Sequence, residues 1–74
     1  MTLAEGSPGN QYKVLSLDTQ DPELESFLLT LGCYSGETIS LVSEVSSSYV
    51  VAIRDGRYNI DKNLASAIVV ESVS

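Results

Sequence analysis

The 74-residue sequence has no histidine and no tryptophan, one cysteine, and only four lysines and arginines against ten acidic residues. Each shortage excludes something. Without histidine, neither a Ser-His-Asp nor a Cys-His nucleophile arrangement can be assembled within the chain. One thiol and no imidazole exclude a zinc site built from cysteine and histidine. A single cysteine also excludes an internal disulfide framework and gives no sign of an oxidising compartment. The net charge of −6 opposes contact with nucleic-acid phosphates, which calls for a basic face. No apolar run approaches the ~20 residues that a membrane helix needs, and the Met1 to Gly6 start lacks the charged-then-apolar pattern of a signal peptide. The expectation is a small cytoplasmic module without catalytic residues, cofactor, nucleic-acid partner or membrane insertion.

What is present is a globular composition, 43% hydrophobic and 19% charged, in a length that suits one domain over residues 1–74. A chain this short buries only about 60% of its unfolded surface. Residues 1–45 carry the whole net charge, whereas residues 46–74 sum to zero.

Gly6-Ser7-Pro8-Gly9 reads as a turn. Residues 12–17 read as a strand in which the apolar alternation slips near Leu15, so that it is expected to be covered on both sides. Asp21-Pro22-Glu23 is a helix start: an N-cap carboxylate, proline in the first turn and acidic groups at the positive end of the dipole. Leu24, Phe27, Leu28 and Leu31 follow at i, i+3, i+4 and i+7 as one apolar face. Gly32 suits the left-handed position that ends a helix. Leu29 falls off the stripe and is expected to be exposed.

Residues 38–45 alternate until Val42 and Val45 break the period, which predicts a bulge or bend. Ser46-Ser47-Ser48 reads as a turn. Residues 49–54 form a strand, and Asp55-Gly56 is a hairpin signal. A two-residue turn there pairs Arg54 with Arg57, Ile53 with Tyr58 and Val51 with Ile60, and sets Tyr49, Val51, Ile53, Tyr58 and Ile60 on one face. Asp61 caps a short turn over residues 62–67, and Ile68-Val69-Val70 closes the chain as a strand. About five strands, one helix and a helical turn in so short a chain predict a mainly β fold, a small partly open barrel.

Asp18, Asp21 and Glu23, with Glu25, are the only weak candidates for holding a hard cation. Helix capping and the helix dipole account for most of them. Cys33 reads as a small buried apolar residue. Tyr49 and Tyr58 read as partly buried, and Tyr34, in a loop, as exposed. Arg54, Arg57 and Lys62 read as a solvated hairpin end. Leu29 and Tyr34 remain as a partner-binding pair: an aliphatic and an aromatic anchor that the core does not require.

The run Leu28-Leu29-Thr30-Leu31-Gly32-Cys33-Tyr34-Ser35-Gly36-Glu37-Thr38-Ile39 resembles the signature of the FeoA family, small cytoplasmic components of bacterial ferrous iron transport. Cys33 stands at an apolar position of that pattern, and Ser35 where the pattern has proline. Arg54-Asp55-Gly56-Arg57-Tyr58 resembles the family's last hairpin, residues 59–70 its closing stretch, and Pro8-Gly9 its opening. The resemblance implies an SH3-like barrel and an accessory role beside a FeoB-like ferrous iron transporter, which has a cytoplasmic GTPase domain. The same barrel is the C-terminal module of iron-dependent repressors, so a free-standing regulatory or metal-sensing module is the alternative that it implies.

Overall fold

In the computed structural model, residues 1–73 are described; Ser74, the last residue of the expected domain, lies outside them. The elements are a 3-10 turn (Leu3–Glu5), β1 (Gln11–Leu17), α1 (Pro22–Leu31), β2 (Thr38–Val45), β3 (Ser48–Ile53), β4 (Gly56–Asp61), α2 (Lys62–Ser66) and β5 (Ile68–Ser72). All strand pairings are antiparallel, in the order β4-β3-β2-β1-β5. β4 and β5 are the two outermost strands, yet only six residues, 62–67, connect them. The sheet therefore has to curl until its ends approach each other. α2 fills the seam, packing against β3, β4, β5 and the 3-10 turn.

The core lies inside the curl. Tyr12, Val14, Ile39, Leu41, Tyr49, Val51, Ile53, Ile60, Ile68 and Val70 come from the strands, and Leu28, Cys33, Ala65 and Ala67 from the helices and their ends. Leu3, fully buried, belongs to it as well. The 3-10 turn that carries Leu3 has no signature in the sequence, because three residues are too few to show a period. Its anchors are long-range: Thr2 bridges Val69 and the Val70 N–H donates to the Met1 carbonyl at 2.9 Å.

Two irregularities bend the sheet. The β1–β5 register shifts between Val14 and Ser16, and Leu15 is 41% exposed. The slip in the β1 pattern is thus a bulge, and β1 is not covered on both sides as expected. The β2–β3 register shifts between Leu41 and Ser43, which places the expected bulge at Val42 and leaves Val45 in solvent.

The β3–β4 hairpin corrects the expected pairing. Ile53 pairs with Gly56, Val51 with Tyr58 and Tyr49 with Ile60. The two turn residues are Arg54 and Asp55, and Arg54 carries the positive φ of 54°. Gly56 is a strand residue, and its special feature is steric: a Cβ there would meet the Tyr58 ring and its hydroxyl. Each partner has moved by two positions, which is the side-chain period of a strand. The expected shared face of Tyr49, Val51, Ile53, Tyr58 and Ile60 is therefore preserved.

Candidate functional site

Helix α1 begins and ends where its sequence signals stand. The Asp21 carboxylate accepts from the Glu23 N–H at 3.0 Å, and Gly32 ends the helix at φ 109°. The apolar stripe is only partly used. Leu28 is fully buried, and Leu24 and Leu31 pack on the core, but Phe27 is 48% exposed. Phe27 is therefore not part of the buried face it was expected to join. Leu29, expected in solvent, is half-buried.

Leu29 borders a groove. The C-terminal turn of α1 stands beside the β3–β4 turn and leaves a depression of about 440 Å³ between them. Leu29, Leu31 and Tyr34 line one wall, and Ile53, Arg54 and Tyr58 the other. Gly32 lies at the floor, where a Cβ would sit 3.0 Å from Ile53 Cγ2. The structure thus brings both members of the expected partner-binding pair, Leu29 and Tyr34, to one concave surface. Tyr34 is 48% exposed, as expected for its loop.

One side chain joins the walls. Arg54 donates from Nε to Glu37 Oε1 at 2.8 Å, and its Nη2 lies 2.7 Å from the same oxygen. The guanidinium carbon also lies 5.6 Å from the centre of the Tyr34 ring, within cation–π range. The bond to Glu37 and then its charge raise the Arg54 pKa further above its ordinary value. Arg54 was expected to be a solvated hairpin residue. Its partners are 17 and 20 positions away in sequence, so no local signal reveals the pair. Glu37 is placed by the loop: its N–H donates to the Tyr34 carbonyl, while the Gly36 N–H, from a residue at φ 95°, donates to the Val14 carbonyl.

The other singled-out residues fall elsewhere. Cys33, next to the groove floor, is buried, and burial pushes its thiol up to about 11. Tyr49 is buried and Tyr58 half-buried. Asp18, Asp21 and Glu23 lie exposed around the start of α1. Among the described residues, no three His, Cys, Asp or Glu side chains form a metal-holding group, and no helix is long and apolar enough to cross a membrane.

Comparisons with known proteins give the fold a context. The FeoA domain family model matches residues 1–72. No curated protein matches the sequence. Among solved structures, an iron uptake regulatory protein (FeoA) is 22% identical with a TM-score of 0.89, over 99% of this chain and 97% of that one. The zinc complex of Stenotrophomonas maltophilia FeoA, described as a procaryotic SH3 domain protein, is 22% identical with a TM-score of 0.86, over 96% and 89% of the two chains. A manganese-dependent transcriptional repressor is 20% identical with a TM-score of 0.88; the likeness spans 99% of this chain but 41% of the repressor. At these identities the likeness is one of fold, and the SH3-like, mainly β architecture expected from the sequence is the one observed.

Proposed function

The chain belongs to the FeoA family, and from that premise we propose that it is a non-enzymatic cytoplasmic accessory of ferrous iron uptake, docking on a FeoB-type membrane transporter or its GTPase domain. The observation that carries the reading is the groove between α1 and the β3–β4 turn. It offers an aliphatic anchor (Leu29) and an aromatic one (Tyr34), with an ion pair at the rim. Central apolar anchors ringed by polar groups are the usual make-up of a binding hot spot, where one truncation costs about 2 kcal/mol or more. Neither residue belongs to the buried core, so both are free to serve a surface contact without loss to the core. The test is the double variant Leu29→Ser, Tyr34→Ser. The circular dichroism spectrum should be native while co-purification with the FeoB-type transporter is lost. Retained capture with a native spectrum removes the groove as the docking site.

The likeness to a metal-dependent repressor supports a second reading, a free-standing metal-responsive regulatory module. Anaerobic calorimetry with ferrous iron separates the two. The docking reading expects weak or no binding by the isolated chain. Sub-micromolar binding would bring Asp18, Asp21 and Glu23 forward as ligands and favour the second.

A further inference from the structure

The two outer strands of the sheet are finished differently. β5 is covered at its outer edge, where Thr2 bridges Val69 and the Val70 N–H reaches the Met1 carbonyl. Among the described residues, no strand pairs with β4 on its outer side; α2 follows it only at its Asp61 end. The hairpin register shows which of its backbone groups are free. Ile53 and Gly56 flank a two-residue turn, so they exchange hydrogen bonds with each other. Antiparallel pairs alternate between bonded and non-bonded. Tyr58 and Ile60 are therefore bonded to β3, and the N–H and C=O of Arg57 and Asn59 point away from the sheet. Among the described residues, no backbone hydrogen bond outside the ladders reaches either of them. Arg57 and Asn59 are exposed.

This free edge borders the groove. Gly56 and Tyr58, on the inward face of β4, line the depression, and Leu29, Leu31 and Tyr34 stand opposite them. An added strand would thus have its backbone against β4 and every second side chain over the depression. We propose that the groove's occupant is an extended segment of the partner protein, added antiparallel to β4 as a sixth strand. The inference rests on the docking reading above and specifies its form.

The register dictates the segment's chemistry. The residue opposite Tyr58 faces inward and is apolar, filling the space between Tyr58, Leu29 and Tyr34. The residue opposite Arg57 faces the outer surface. Arg57 takes part in no ion pair among the described residues, whereas Arg54 is already held by Glu37. The segment therefore carries an acidic side chain opposite Arg57, one position from its apolar anchor.

Three capture experiments with the detergent-solubilised FeoB-type transporter test this. Arg57→Pro removes an N–H that β3 does not use, and proline is tolerated at such an edge position. The variant should keep the native circular dichroism spectrum and thermal midpoint while capture falls at least tenfold. Arg57→Glu should fall similarly, and a lysine replacing the segment's acidic residue should restore it. In the wild-type complex, hydrogen exchange at the Arg57 and Asn59 amides should slow at least tenfold. That measurement stands even if Arg57→Pro does not fold. Native-like Arg57→Pro with full capture, or unchanged exchange at both amides, overturns the strand addition. If Leu29→Ser, Tyr34→Ser still abolishes capture, groove docking without strand addition remains. A wild-type chain that captures no transporter overturns both.

Discussion

Gly32 is the residue where folding and site geometry meet. Its φ of 109° is a conformation that side-chain-bearing residues rarely adopt, and a Cβ would lie 3.0 Å from Ile53 Cγ2 at the groove floor. Gly32→Ala should destabilise the chain by about 1–2 kcal/mol, from the left-handed backbone together with the displaced Ile53, read as a lower midpoint in urea. Gly56 differs. Expected as one of the two turn residues, it lies in β4, and the positive φ of the turn belongs to Arg54. Substitution at Gly56 costs a rotation of the Tyr58 side chain instead of backbone strain. The next residue after Gly32 makes a second prediction. The Cys33 thiol is held protonated by burial up to about pH 11, above its ordinary value of 9.0. Between these values the unfolded chain releases a proton that the folded chain keeps, so stability falls as pH rises from 9 to 11. Thermal midpoints at pH 8 and pH 10.5 should diverge more for the wild type than for Cys33→Ala. Equal divergence would assign the loss to other groups.

At the scale of elements, legibility followed the range of the cause. α1 was read to its bounds, Pro22–Leu31, because its cap, its proline and its terminal glycine act within one turn of where they stand. The faces of β3 and β4 were legible through their period of two, while the register was not. A shift by two positions leaves the same residues inside. The groove was legible only in its anchors. Leu29 and Tyr34 drew notice because local pattern left them over, whereas Arg54 and Glu37 needed the curl of the sheet to meet. The stripe of α1 failed at Phe27, because the helix lies at the rim of the barrel and has room to bury only its central line, Leu24, Leu28 and Leu31. A paired substitution checks this. Leu28→Ala should cost about 2–5 kcal/mol, as expected for a fully buried leucine. Phe27→Ser should stay within about 1 kcal/mol, since half the ring is already in water. Comparable losses for the two would place Phe27 in the core.

At the scale of the whole molecule, the electrostatic field is lopsided. The net charge of −6 resides in residues 1–45, and Asp21, Glu23 and Glu25 are grouped at the start of the helix whose other end walls the groove. The Arg54–Glu37 pair cancels one charge of each sign at the groove itself. Asp55 also lines the groove and Arg57 lies two positions on, so the proposed docking surface is close to neutral and partly apolar, with the negative field beside it. If the chain docks as proposed, such an arrangement would separate encounter from residence. On that reading the field would draw in a partner whose surface is basic overall and set the association rate, while the apolar anchors and strand contacts at the groove would set the dissociation rate. Salt shortens the reach of the field, from about 30 Å at 0.01 M to about 8 Å at 0.15 M, without weakening apolar contact. Association with the FeoB-type transporter should therefore slow several-fold over that range while dissociation changes little. Replacing Glu23 and Glu25 together by glutamine should lower the low-salt association rate toward the high-salt value and leave dissociation alone, because neither carboxylate lines the groove. Surface-based kinetic measurements at four or five salt concentrations read both rates. An association rate indifferent to salt would mean that the acidic half serves only the helix start, and a dissociation rate that rises steeply with salt would move the contact itself onto those carboxylates.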